Sequence, residues 1–431
     1  MAGRRVTARA TVVVVNWNGG HLLPPCLDAL RAQDVQDFET VVVDNASSDG
    51  SVEMLRRDYP EVRVVETGAN LGFAGGNNAA LRTFATPYAV LLNNDAVPEP
   101  SWLRNTLDAC ADGVVVTPKI VFLPRFVRLT LTTDGFVPGG ADPRELGVRI
   151  HGVQVDGAPA RALWERLTYG DEGGYTWTRP SGEWLLPVGR SVTLTWAAER
   201  DKDVTIGWPG GSATLRVTEA GGEATFALPE DVETVDVVNN VGGIVTTLGY
   251  GADRGFQEVD EGQYDKPEDV FTFCGNGAAF PRSVIEKVGV FDDDFFLYYE
   301  DTDLSWRVRA AGYDIRYEPT AVLRHHHSAS SGEASYVFRF HVDRNRLLML
   351  TKNATWRLAL PQVLRYPVTT ASIAVRAVRT RNRAALADTK RRLRVMASYL
   401  RLLPRMLARR RAVERVVSRR ELERRWLVEH R

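Results

Sequence analysis

The stretch Thr11–Asn45, "TVVVVNWNGGHLLPPCLDALRAQDVQDFETVVVDN", carries the pattern on which the fold turns. "TVVVVNW" is a β-branched run and predicts a buried strand. "HLLPPCLDALRAQ" sets Leu23, Cys26, Leu27 and Leu30 at helical spacing, with prolines near its start, and predicts a helix. "ETVVVDN" predicts a second strand. Further along, "VRVVE" reads as a third strand, "AGGNNAALRTF" opens a helix and "YAVLLNND" is a fourth strand. Strands alternating with helices predict a mostly parallel sheet with both faces covered. Ligands in such sheets bind beyond the carboxyl ends of the strands. Polar residues fall there: Asn16 after the first strand, Asp44 after the second, and Asn93, Asn94 and Asp95 after the fourth.

The pattern changes near residue 125. Short alternating runs follow to about residue 232, among them "GVRIHGVQV", "SVTLTWAA" and "ATLRVTE", separated by turn residues such as "PGG" and "AGG". Such punctuation predicts a β-sandwich of about 100 residues. Five tryptophans lie here, Trp164, Trp177, Trp184, Trp196 and Trp208. Each is expected in the core, with sugar stacking as the alternative. Strand–helix character returns from about Val235. "FTFCGNGAAF" reads as a strand with close backbone packing, and "RSVIEKVG" as a short helix. After Tyr336 the chain is helical and rich in arginine.

The 431 residues allow two or three domains. Hydrophobic residues make up 44% and charged residues 25%, ordinary for a soluble globular chain. The three cysteines are far apart, without metal spacing, which fits a reducing compartment. The apolar run near the N-terminus breaks at Asn16, too soon for a signal peptide. No run of about 18 apolar residues predicts a spanning helix. The net charge of zero hides an asymmetry. Residues 351–431 hold 22 Lys or Arg against 5 Asp or Glu, a net of +17, so the preceding chain carries −17.

Five passages can carry chemistry. In "VVVDNASSDGS" (41–51), Asp44 can accept a hydrogen bond from a base or ribose, or simply shape a turn. In "NLGFAGGNNAAL" (70–81), glycines lead into a helix whose free N–H groups can hold phosphate. The dinucleotide spacing G-x-G-x-x-G is missing, and a tight loop packed under the sheet is the alternative. "LLNNDAVPEP" (91–100) offers one carboxylate and two amides, enough for Mg²⁺ or Mn²⁺ if a diphosphate adds oxygens. In "RHHHSAS" (324–330) only His325 and His327 can share a strand face. In "FFLYYEDTDLSWRVRAAGY" (295–313), three acids open a helix that Gly312 ends. Asp301 or Thr302 can cap that helix. A carboxylate at a helix start beside aromatic rings is equally suited to be a general base.

Together these passages resemble glycosyltransferase family 2, the inverting transferases of GT-A fold, and within it the bacterial rhamnosyltransferase-like branch. The likeness rests on "VVVVNWNGGHLLPPCLDAL", "VVVDNASSDGSVEML", "NLGFAGGNNAAL", "LLNNDAVPEPSWL", "GNGAAFPRSVIEKVGVFDDDFFLYYEDTDLSWRVRAAGY" and "PTAVLRHHHSAS", in that order. It implies an α/β GT-A core at 1–126 and 233–350, an inserted β-rich module at 127–232 and a basic amphipathic helical tail at 351–431. It implies Asp301 as catalytic base, with Glu300 and Trp306 supporting the base or acceptor. Asn16, Asp44, Asn70, Gly72, Asn77, Asn93 and Asn94 would bind the nucleotide sugar. Asp95 and His325 would hold Mg²⁺ or Mn²⁺. Asn93 stands where the family's motif can carry an acid, which removes a charge from the metal site. Asp303 reads as helix-start electrostatics.

The implied reaction moves a sugar, L-rhamnose from dTDP-rhamnose as first choice, to a lipid-linked or glycan acceptor in cell-envelope synthesis. Galactofuranosyl or other hexosyl transfer is an alternative; so are a non-catalytic glycan-binding protein on this fold and a nucleotide-dependent oxidoreductase. The basic tail predicts contact with an anionic membrane, hence a cytoplasmic, peripheral location, or else a helical hairpin packed on the catalytic domain. No nucleic-acid partner is expected.

Overall fold

The computed structural model describes residues 8–110, 113–160, 162–163, 167–326 and 335–429. His327 and Trp164 lie outside the described residues. The chain forms two compact units. One comprises residues 1–123, 238–256 and 261–431; the other comprises 124–237 and 257–260.

The first unit is built on a ten-stranded mixed sheet. Strands β1 (Ala10–Asn16), β2 (Phe38–Asp44), β3 (Arg63–Glu66) and β4 (Tyr88–Asn93) are parallel, in the spatial order β3–β2–β1–β4. Alternate valines of β1 explain why both faces need cover. Val13 packs with Ala74 and Ala80 of helix α3 (Gly72–Leu81). Val12 and Val14 pack with Leu23, Leu27 and Leu30 of α1 (Leu23–Arg31) and with Trp102 of α4 (Trp102–Ala109). Helix α2 (Ser51–Asp58) adds Leu55. Beyond β4 the sheet continues through the antiparallel strand Ala279–Pro281, then β6 (Val114–Phe122), then the long strand Asp314–His325, parallel to β6. The short β5 (Ala96–Pro98) pairs with the end of that long strand. This is the α/β core the sequence predicted.

Two expectations change. Of "FTFCGNGAAF" only Ala279–Pro281 is a strand. Gly277, at φ +87°, turns the chain beforehand, and a Cβ there would strike Leu323 and Pro118. The tail is not a separate piece beginning at 351. Helix α7 (Tyr336–Asn353) runs across that boundary, and α8 (Trp356–Arg379), α9 (Arg383–Ala412) and α10 (Arg419–Trp426) follow. Tyr366, Val395, Tyr399, Leu402 and Met406 join Leu347–Leu350 and Trp306 in one hydrophobic cluster of the first unit.

The second unit is a pair of β-sheets with a common core of Leu129, Leu131, Trp184, Val192, Leu194, Trp196 and Ile206. Trp184 and Trp196 are buried, and Trp208 stacks on Phe226, so these rings pack the interior. In the first unit Val238 pairs with Val121, so the points where the chain leaves the sheet and returns are neighbours.

Candidate active site

Strands β2, β1 and β4 end in one row. Their register sets Asn16 beside Asp44 and Val15 beside Asn93. The chain moves outward from β1 through β2 and β3 and then crosses back to β4. The crevice at the ends of β1 and β4 is therefore a topological switch point, where such sheets bind ligands.

Asn16 is fully buried and braces this row. Its Nδ2 donates to Asp44 Oδ1 (3.3 Å) and Ser51 Oγ (3.0 Å), and its Oδ1 accepts from Asn94 Nδ2 (2.9 Å). Asp44 is buried as well, and its Oδ2 accepts the Ser47 N–H (2.9 Å). Here Asn16, Asp44 and Asn94 shape the strand ends from beneath rather than facing solvent. Trp17, which sequence reasoning passed over, stands exposed next to Asn16.

The glycine-rich loop takes its alternative reading. Gly72 N–H goes to Asn70 Oδ1 (2.9 Å), and Ala74 N–H goes to Phe296 O (3.2 Å). Asn77 is buried and donates to Phe73 O (2.9 Å). A Cβ on Gly72 would meet Phe296 O at 2.4 Å. The start of α3 is thus docked against the segment leading to Glu300. Asn70, Gly72 and Asn77 serve that close approach, and Gly72 and Ala74 have no amide left for a phosphate.

Asp95 and His325 are far apart in sequence and meet because β5, directly after Asp95, pairs with the end of the long strand. His325 Nε2 lies 3.1 Å from Asp95 Oδ1, and Asp95 O accepts the His326 N–H (2.9 Å). His325 Nδ1 lies 2.9 Å from Asn239 Oδ1. An amide oxygen only accepts, so Nδ1 carries the proton. Nε2 then presents a proton to Asp95 or a lone pair to a cation shared with it. Two adjacent ligands of an octahedral ion, each at about 2.0–2.1 Å, lie about 3 Å apart, and this pair has that spacing. Among the described residues no group of three His, Cys, Asp or Glu could hold a metal. The pair therefore fits a cation that brings phosphate oxygens with it.

Asp301 opens α6 (Glu300–Ala310). Its Oδ1 accepts Thr302 N–H (2.6 Å) and Thr302 Oγ1 (3.2 Å), and it also takes the Gly275 N–H. It remains partly exposed. One residue on, Asn276 Oδ1 accepts the Asn93 N–H (3.1 Å). The loop Cys274–Asn276 thus links Asp301 to the end of β4. Burial raises the Asp301 carboxyl above its ordinary range. Glu300 is buried, and its Oε2 has no partner among the described residues; burial, and then the Asp301 charge, push it well above the usual range. Glu300 accordingly holds the proton of the pair.

The approach to α6 is strained. Phe296, Tyr298 and Tyr299 all have φ between +65° and +68°, which non-glycine residues rarely adopt. Asn345 of α7 holds this segment, with Nδ2 within 2.8 Å of the carbonyls of Phe295, Leu297 and Tyr298. Arg344 Nη2 donates to the carbonyls of Asp294 and Phe295. Helix α7 thereby fixes the turn that leads to Glu300.

Two expectations are corrected. Trp306 is 1% exposed and packs edge-on to Phe271 (5.2 Å) in the hydrophobic core, so it does not face an acceptor. Asp303 does more than sit near a helix dipole. It is fully buried and bonded to Arg307 Nε (3.0 Å), Lys352 Nζ (2.8 Å) and Asn353 Nδ2 (2.7 Å). Asn239 and Asn276 were missed. Their only signal was position, in "VVNNVGG" and "FCGNG", since amides are common in turns.

The model of glycosyl transferase family 2 matches residues 11–130, and that of glycosyl transferase family group 2 matches residues 234–413. The second match extends into α9, well past the expected tail boundary. N-acetylglucosaminyl-diphospho-decaprenol L-rhamnosyltransferase of Mycobacterium tuberculosis is 23% identical over 368 residues, 82% of this chain and 88% of that protein. Two solved structures align loosely. A mannosyltransferase from Pyrobaculum calidifontis in complex with GDP-Man and Mn²⁺ is 15% identical, covering 92% of this chain and 87% of that one, at TM-score 0.39. GalNAc-T7 with UDP, GalNAc and Mn²⁺ is 10% identical, covering 81% of this chain and 48% of that one, at TM-score 0.45.

Proposed function

The chain belongs to glycosyltransferase family 2, and from that premise we propose that it transfers a sugar with inversion from a nucleotide donor to a lipid-linked glycan acceptor, with Asp301 as base. The observation that carries the reading is the loop Cys274–Asn276, which bonds Asp301 on one side and the end of β4, two residues before Asp95, on the other. L-rhamnose from dTDP-rhamnose is the first choice of donor, and the name of the Mycobacterium tuberculosis relative supports both the sugar and a polyprenyl-linked acceptor.

In the proposed mechanism the acceptor hydroxyl stands against Asp301. The carboxylate takes its proton as the oxygen attacks the anomeric carbon and the bond to the nucleotide diphosphate breaks. General bases contribute about 10²–10⁴-fold. Glu300, protonated beside it, adds no second negative charge and can donate to the acceptor. Asp95 and His325 would hold Mg²⁺ or Mn²⁺ together with the diphosphate, and the ion would act as a Lewis acid on the leaving group. Asn239 keeps the His325 ring turned toward Asp95. No carboxylate nucleophile on the opposite face enters the scheme, so the product is inverted.

Helices α8 and α9 support a peripheral membrane location at the cytoplasmic face. α8 exposes Leu360, Leu364, Val368, Val375 and Val378 at helical spacing, and the surrounding sequence is strongly basic. Among the described residues no helix is long and apolar enough to cross a membrane.

The test is a thermal-shift screen of dTDP, UDP and GDP with and without Mn²⁺, followed by transfer from the matching sugar nucleotide to a polyprenyl-diphosphate-linked sugar. A ligand binding only the native state raises the melting temperature. Failure of every nucleotide to do so would overturn the reading.

A further inference from the structure

A cavity of about 340 Å³ lies between the tail helices and the segment Leu248–Tyr250. Three arginines line it, Arg346 of α7, Arg365 of α8 and Arg392 of α9. Asp343 is the acid among them, and its carboxylate is already bonded to Arg391 Nη1 (2.8 Å) and Tyr366 Oη (2.9 Å). Arg346 is 4% exposed. It lies 4.1 Å over the Tyr250 ring and donates to Leu248 O (3.0 Å), while its Nε has no hydrogen-bond partner among the described residues. A buried guanidinium N–H without an acceptor is costly, and an anion in the cavity would compensate the guanidinium charge that Leu248 O and the Tyr250 ring leave unneutralised. Arg365 is exposed on the rim.

The cavity adjoins the catalytic turn. Gly251, next to Tyr250, donates its N–H to Tyr299 Oη (3.0 Å), and Tyr299 directly precedes Glu300. On the outer side, Arg365 and Thr369 line the cavity, while Leu364 and Val368, one position before each, are exposed. Cationic recess and apolar stripe thus run side by side along α8.

We propose that this recess binds the diphosphate of an amphipathic acceptor, with its hydrocarbon chain along the Leu360–Leu364–Val368 stripe and its sugar directed toward Asp301. Guanidinium forks match phosphate oxygens, and the stripe gives the chain an apolar track. The inference deepens the lipid-linked acceptor reading and rests on it. It adds the tail helices to the substrate site and gives their arginines a task beyond general attraction to membranes.

The experiment measures binding of farnesyl diphosphate to the full chain by calorimetry, with inorganic pyrophosphate and UDP–Mn²⁺ as comparison ligands. Farnesyl diphosphate should bind at least about tenfold more tightly than pyrophosphate, and UDP–Mn²⁺ should not displace it. Arg365→Glu, a change on the rim that leaves the melting temperature in place, should weaken it about tenfold or more while the nucleotide thermal shift is kept. Arg346→Gln should weaken it as well. Displacement by UDP–Mn²⁺ would assign the diphosphate to the nucleotide cleft and overturn the proposal. Equal binding of pyrophosphate would make the recess a site for free anions, and unchanged affinity in Arg365→Glu would remove the recess from binding; either overturns it too. Failure of the donor reading would show separately, as absence of any nucleotide thermal shift with farnesyl diphosphate binding intact.

Discussion

Asp301 and Asp303 lie two residues apart in the first turn of α6, on opposite sides of the helix, and they meet opposite environments. Asp303 is enclosed by Arg307, Lys352 and Asn353. Burial opposes its charge, yet Lys352 and Arg307 hold it below the ordinary carboxylate range. Among the described residues no cation is bonded to Asp301. Its donors are the Thr302 hydroxyl and N–H and the Gly275 N–H, and burial raises its carboxyl. One acid is neutralised into structure, and the other is left able to take a proton. Residue type and helical position do not separate them; what packs against each face does.

The sharpest way to break this comparison is Asp301→Asn. Transfer should fall about 10²–10⁴-fold with the nucleotide thermal shift unchanged. Loss of both together would place Asp301 with Asp303 as a structural residue. Asp303→Asn should do the reverse. It leaves Lys352 and Arg307 buried and under-paired, and denaturant unfolding should report a loss of about 3–5 kcal/mol. Linkage gives a second reading of the same site. A depressed carboxyl contributes stability that is present at neutral pH and lost as pH falls through its folded value. The variant should therefore lose part of the wild-type decline of stability in acid.

A third acid extends the comparison, because Asp95 faces an imidazole. Asn239→Ala frees the His325 ring and should weaken Mn²⁺ affinity, measured with a nucleoside diphosphate present, about 10–100-fold. A change within error would mean that the ring is held by Asp95 alone. The smallest effect belongs to Glu300→Gln. A base works deprotonated, so kcat/KM falls as pH drops through the folded value of Asp301, which lies above the usual ~3.9. Glu300 is already neutral there, so exchanging it for a neutral amide should leave that limb in place. The change at neutral pH should stay under about tenfold, within what one unit of pKa produces. A limb that moves to lower pH would show that Glu300 carries a charge and would reverse the assignment of the shared proton.

Much of the core was legible in the sequence because its strands are buried on both faces. Val12–Val15, Val41–Val43 and Leu91–Leu92 are continuous apolar runs that suit little else. Their polar ends fixed where a ligand can bind. Trp306 was placed by family resemblance, and nothing local shows which face of its helix is covered; Phe271, 35 positions earlier, covers it. Gly72 and Asn77 misled because a glycine-rich helix start is equally suited to phosphate and to close packing. The approach of Phe296, more than 200 positions away, decided between them.

The sequence by itself determined the parallel sheet, the β-rich insertion and the helical tail. These follow from periodicity and residue type, which act within a few positions of the chain. Tertiary structure alone decided which acid is paired with cations, that Asn239 sets the His325 ring, and that α7 clamps the turn before Glu300 through Asn345. Charge, burial and hydrogen bonding at each of those points depend on groups 49 to 86 residues distant, and such contacts exist only once the chain has folded.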